Sequence, residues 1–279
     1  MMRLAIIGDL HFFDNRFVQG NEELLLAKER FYERYLQKFF EIEADLHISL
    51  GDLTHMGWEE EFESVYQHIR NSGISFRHIL GNHDAYELPK TKIQSLIANP
   101  LNDVFETEEA LFVFVDSTRE MDPKDYSGHL NADQLEWLEA QMLVSPSKPI
   151  LVFAHHPLYN TTTGSTDEKM HIDPTIDMRA ILRKRQGNCF YFNGHNHVHS
   201  IVREEQWNFI QTAAGMCHPS IRIVEIDKSE VRTRIVAIED KELLEAAQIL
   251  YDKLPQYHRP LHAHGQNSDW DQIILLQNR

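Results

Sequence analysis

Residues 191–200 read YFNGHNHVHS, which sets His195, His197 and His199 on alternate positions. If the chain stays extended past Gly194, all three imidazoles project to one face, because strand side chains repeat every two residues. The apolar run Cys189-Phe190-Tyr191-Phe192 before them reads as a buried strand. Imidazole nitrogens bind metals and carry protons near neutral pH. Two on one face at a strand's end therefore point to a metal-ligand pair. A lone histidine is more often a surface or satisfied core residue, so the rest of the chain must decide.

Four more polar clusters follow apolar runs: Asp9-Leu10-His11, Gly51-Asp52, Gly81-Asn82-His83-Asp84 and His155-His156-Pro157. Each is weak alone. An aspartate after a strand often caps a turn, and Asp52 and Asn82 sit beside glycines as turn residues do. Their joint order and their common place at strand ends are specific. Mixed imidazole and carboxylate donors suit Mn, Fe, Co or Zn. A pair of metals held close together needs a carboxylate between them to offset their repulsion. His155 and His156 are adjacent, so in an extended segment only one of them faces the site.

The elements that must position these groups alternate between strand and helix. Strands are expected at 3–8, 46–50, 76–80, 110–116, 149–154 and from Cys189, with a closing run at 209–213, 221–226 and 231–238. Helices are expected at 22–43, 59–70, 92–98, 132–143, 176–184 and 241–254. That alternation implies a layered α/β fold, whose ligands bind at the carboxyl ends of the strands. The polar segment from Pro255 onward is left without an element. Residues 161–167, TTTGSTD, read as a loop.

The chain has 279 residues and a formal charge of −16, and 42% of it is hydrophobic, enough for a full core. Nucleic-acid binders carry a basic footprint, so no nucleic-acid partner is expected. No apolar run approaches the ~18 residues of a membrane span, so no membrane partner is expected either. The segment before Asp9 is too short for a secretory signal. Two cysteines make neither a disulfide framework nor a thiolate zinc motif. A reducing cytoplasm is the expected setting, and nothing indicates the oligomeric state.

Taken in order, DxH, GD, GNHD, H and GHNH over residues 7–197 resemble the calcineurin-like metallophosphoesterases. The nearest likeness is to the bacterial class III cyclic-nucleotide and glycerophosphodiester phosphodiesterases, which VDST at 115–118 and QLEWL in the helix at 132–143 also resemble. The resemblance implies a four-layer α-β-β-α sandwich of two mixed sheets flanked by helices. It implies a catalytic domain at 1–240, with a C-terminal helix and tail at 241–279 packing on or near it. It implies two metal ions (Mn, Fe, Zn or Co, with Mn or Fe favoured) bridged by Asp52. Asp9, His11 and His197 would complete one site, and Asn82, His155 and His195 the other. His83 would stabilise phosphoryl charge and protonate the leaving group, with Asp84 orienting it.

The implied reaction is attack of a metal-bridging hydroxide on a small phosphodiester. The alternative is a phosphomonoesterase or nucleotide pyrophosphatase on the same site. The small phosphoester is the only partner implied. His156 is expected behind the ligands, and His199 has no assigned metal. His55 stands where many relatives carry an acidic or amide residue. The tail histidines His258, His262 and His264 are read as surface or core residues, the alternative being that they fold over the site or bind a stray metal.

Overall fold

The runs Leu111–Val115, Ile150–Ala154 and Cys189–Asn193 are buried at every position. Such strands must be covered on both faces. The computed structural model, which describes residues 1–276, shows what covers them. Its first part runs β1 (Met2–Ile7), α1 (Glu22–Phe40), β2 (Leu46–Ser49), α2 (Glu59–Ser72), β3 (Phe76–His78), α3 (Lys90–Ile97), β4 (Asp103–Glu106) and β5 (Leu111–Val115). Then come α4 (Ala132–Met142), β6 (Ile150–Ala154), α5 (Met178–Leu182), β7 (Cys189–Asn193), β8 (Ser200–Glu204) and β9 (Trp207–Gln211). The chain continues with β10 (Ser220–Ile226), β11 (Glu230–Ala237), α6 (Lys241–Lys253) and β12 (Asp271–Leu275).

Two six-stranded sheets form, in the orders β12-β11-β10-β1-β2-β3 and β4-β5-β6-β7-β9-β8. Within the first, β1, β2 and β3 run parallel. Within the second, β5, β6, β7 and β9 do. Each parallel set therefore brings its carboxyl ends to one edge. The sheets face one another across an apolar layer that includes Leu4, Ile6, Ile48, Phe112, Phe153 and Phe192. Phe114, Phe153 and Phe192 stack through it with centroids 5.0 and 4.9 Å apart. A second apolar layer under α1, α2 and α6 covers the outer face of the first sheet. A third, with residues of α4 and α5, covers the other sheet. The result is the expected α-β-β-α sandwich.

Sequence patterns missed β4, β8 and β12. All three lie at sheet edges, where the burial is partial or alternating. Edge strands need no continuous apolar run. α5 is shorter than its expected helix, because Asp177 caps Ala180 N–H and starts it late. No helix among the described residues is long and apolar enough to cross a membrane.

Candidate metal centre

The carboxyl ends of β1, β2 and β3 carry Asp9 with His11, Asp52, and Asn82. The ends of β6 and β7 carry His155 and His195 with His197. All of these side chains are buried. The expected extended run through 195–199 does not occur. β7 stops at Asn193, and His195 and His197 take left-handed backbone, with φ of 69° and 59°. His11 and Asp52 do the same, at 51° and 48°. Such backbone is strained for residues other than glycine and collects at functional sites. Here it sends His195 and His197 into different donor clusters, where an extended strand would aim both at one face. Glycines allow the close approach: a Cβ on Gly81 would lie 2.1 Å from Asp52 Oδ1, and one on Gly194 2.3 Å from Asp9 Oδ1.

Two clusters of donor atoms result. In the first, His11 Nε2 lies 3.0 Å from His197 Nε2, which is 3.2 Å from Asp9 Oδ2. Asp52 Oδ2 is 3.9 Å from His11 Nε2 and 3.4 Å from His155 Nε2, so it stands between the clusters. In the second, His155 Nε2 is 3.1 Å from Asn82 Oδ1 and 3.2 Å from His195 Nδ1.

Carbonyl oxygens set which nitrogen of each ring faces inward, because a carbonyl only accepts. His155 Nδ1 donates to Leu50 O at 2.8 Å, and His195 Nε2 donates to Lys169 O at 3.1 Å. His197 Nδ1 donates to His258 O at 2.9 Å. The remaining nitrogens of these rings converge on the clusters. Four imidazoles, two carboxylates and one amide oxygen thus converge on two buried clusters. That donor set fits two transition-metal ions.

The charges follow the same division. Burial opposes charge on His155, yet Asp52 beside it raises its pKa to about 9. His197 is likewise disfavoured by burial but raised well above the usual range by Asp9. Burial lowers His11 and His195 well below it, and the neighbouring His83 and His155 rings, respectively, add to that. Each cluster thus pairs one histidine that favours its proton with one that rejects it.

His83 Nδ1 donates to His55 O at 2.6 Å, and its backbone N–H donates to Asp52 Oδ1 at 2.8 Å. Asp84 does not orient it. The Asp84 oxygens accept from Thr54 N–H (2.8 Å), Thr54 Oγ1 (2.7 Å) and Gly81 N–H (2.9 Å), and one lies 3.0 Å from His78 Nε2. The carboxylate braces the two loops that carry Asp52 and Asn82. The physical reason is the 3-10 turn at His83–Ala85, which sends adjacent side chains in different directions. His156 sits behind the ligands, its Nε2 on Tyr126 O at 3.1 Å and its Nδ1 on Ser117 Oγ at 2.8 Å. His199 lies apart, its Nδ1 accepting from Ala213 N–H at 3.1 Å.

A cavity of about 310 Å³ opens onto Asp52, Asn82, His195 and His197. His83, Tyr86, Glu87, Tyr126, Met170 and Met56 line it, together with Gln256 and His258 from the tail. For His258 this is the less favoured of the two sequence readings, and Gln256 is not singled out by the sequence at all. The tail's only signal in the sequence is the histidine content of a segment with no apolar pattern.

The profile of the calcineurin-like phosphoesterase family matches residues 2–199. A 3',5'-cyclic-nucleotide phosphodiesterase of Nostoc sp. (strain PCC 7120) is 25% identical over 210 residues, 74% of each chain. The 3',5'-cyclic adenosine monophosphate phosphodiesterase of Escherichia coli K12 is 30% identical over 165 residues, 56% of each chain. Among solved structures, a dimetal phosphatase from Danio rerio superposes with a TM-score of 0.65 at 14% identity, covering 85% of this chain and 96% of that one. The matched segment takes in strand ends from both sheets, and with them both donor clusters. The chain therefore belongs to the calcineurin-like phosphoesterase family, as a hydrolase of phosphoester bonds built around a dinuclear metal centre.

Proposed function

We propose that the chain hydrolyses a small phosphodiester, of cyclic-nucleotide type first and glycerophosphodiester type second. The observation that carries this is the charge of the cavity wall. Among the described residues, no lysine or arginine lines it, and Glu87 adds a carboxylate. A phosphomonoester dianion or a diphosphate brings more negative charge than a diester. No lysine or arginine on this wall meets that excess, so the singly charged diester is the better fit. Met56, Met170, Tyr86 and Tyr126 offer apolar and aromatic area to the esterified groups. The similarity to enzymes named as cyclic-nucleotide phosphodiesterases supports the same reading.

In this reading Asp9, His11, Asp52 and His197 hold one ion, and Asp52, Asn82, His155 and His195 hold the other. The bound dications, of Mn, Fe, Zn or Co with Mn or Fe favoured, supply Lewis acidity and a nucleophile at neutral pH. Asn82 contributes a neutral oxygen, which leaves its ion less compensated than a carboxylate would. His83, with Nδ1–H committed to the His55 carbonyl, keeps Nε2 for the substrate. In its imidazolium form that Nε2–H stabilises phosphoryl charge and protonates the leaving alkoxide. Asp84 holds the loops of Asp52 and Asn82 in register. A reducing cytoplasm is the proposed setting.

The test is a pair of initial rates for the Mn²⁺-loaded protein, on bis-p-nitrophenyl phosphate and on p-nitrophenyl phosphate. Diester turnover well above monoester turnover, lost in folded Asn82→Ala, is expected. Monoester preference would replace this reading with a phosphatase.

A further inference from the structure

His55 is fully buried beside the first donor cluster, yet it faces neither the cavity nor Asp52. Its Nε2 lies 3.2 Å from the carbonyl oxygen of Pro255, 200 residues along the chain. Its Nδ1 lies 3.3 Å from Nδ1 of His11. A carbonyl accepts only, so His55 Nε2 carries the proton and His55 Nδ1 is an acceptor. His11 Nδ1 must then donate, which leaves the His11 Nε2 lone pair facing His197 and Asp52. Carbonyl, His55 and His11 form one ordered relay.

The next residues of the tail touch the same cluster again. His258 O accepts from His197 Nδ1 at 2.9 Å. Between these two anchors the buried ring of Tyr257 packs against His11 and His197, with centroids 5.0 and 4.9 Å away. The second cluster takes its orienting carbonyls from Leu50 and Lys169 instead. Residues 255–258 therefore brace one cluster and leave the other alone. The same four residues put Gln256 and His258 into the cavity wall.

We propose that His55 is a positioning residue that ties the C-terminal strap 255–258 to the first metal site. Occupancy of that site and ordering of the strap then favour each other, and the second site stands outside the coupling. By linkage the effect is reciprocal. This rests on the ligand assignment given above.

The experiment is a Co²⁺ titration of chelator-treated protein, read by ligand-field absorbance and by metal content after dialysis. Hydrogen exchange over residues 255–258 is followed in parallel. In wild type, two ions bind and exchange in the strap slows on filling. His55→Phe keeps the ring volume but neither donates nor accepts. One ion should then bind as in wild type, and the other about 10- to 100-fold more weakly, the usual effect of removing a partner behind a metal ligand. His55→Asp restores an acceptor for His11 but cannot donate to Pro255. It should recover the Co²⁺ spectrum and the part of the affinity that comes from orienting His11, while the strap exchanges fast with metal present and its share of the affinity stays lost. Two ions bound to His55→Phe as tightly as to wild type overturn the inference, as does strap exchange indifferent to metal. If His55→Phe does not fold, His55→Asp and wild-type exchange decide between the same outcomes. Wild type that takes up no ion overturns the ligand assignment itself.

Discussion

His11 Nε2 and His197 Nε2 face each other at 3.0 Å inside the protein, each with its other ring nitrogen committed elsewhere. Two bare lone pairs at that distance repel. A proton between them relieves that repulsion, and Asp9 raises the affinity of His197 for it. His155 and His195 repeat the arrangement at 3.2 Å. In the proposed ligand assignment, each metal position thus has a proton as its placeholder.

Metal uptake should release about one proton per ion. For the His155 position the raised value of about 9 sets the window. Below it the apo site is protonated, so apparent affinity tightens about tenfold per pH unit from pH 6.5 toward 9 and then levels off. Stability of the metal-free protein runs the other way. A raised histidine stabilises the fold fully below its unfolded value near 6.5, and that contribution is lost as pH rises through about 9. Calorimetric titrations in buffers of different ionisation enthalpy would read the protons. An affinity flat across this window contradicts the placeholder.

Filling the centre should raise the melting temperature. An ion at a hundred times its dissociation constant adds about 2.7 kcal/mol. For a chain of 279 residues that is a rise of about 5 °C per ion. A thermal scan with and without Mn²⁺ measures it, and a shift that is absent at saturating metal argues against ligands preformed in the native state.

Replacing His83 by alanine should lower kcat by about 10²- to 10⁴-fold while two ions still bind. The His83 ring reaches the cavity but holds no metal in the assignment above. Metal content of the purified variant separates this from a collapsed site. Equal loss of metal and turnover would place His83 among the ligands.

Glu87→Arg should move the enzyme toward monoesters. It replaces the one acidic wall residue that is not assigned to a metal with a cation. A charge reversal at a partly solvated wall is worth about 1 kcal/mol or somewhat more. The ratio of monoester to diester kcat/KM should therefore rise about five- to tenfold. An unchanged ratio would mean that wall charge does not govern the preference.

Strand ends were legible in the sequence because each is a local event, an apolar run broken by a polar group, with a glycine before it in every case but His155. Asp9, Asp52, Asn82, His155 and His195 are buried together for that reason. Their inward aim was not legible. It depends on left-handed backbone at His11, Asp52, His195 and His197, which alternation rules do not foresee. Asp84 shows the limit of adjacency: it neighbours His83 in sequence but braces Thr54 and Gly81 in space. The strap was unreadable for a different reason. Pro255 and His258 act through main-chain carbonyls, and a carbonyl has no signature in the residue type that bears it.

Asp9 and His195 are 186 residues apart and meet through a backbone N–H on a carboxylate at 3.0 Å. One comes from the first sheet and one from the second. Contacts of such separation close late, since a long loop must be ordered before they contribute. The centre therefore cannot assemble on a half-built chain. Metal capture during refolding would act as a stopwatch for the final docking of the two sheets.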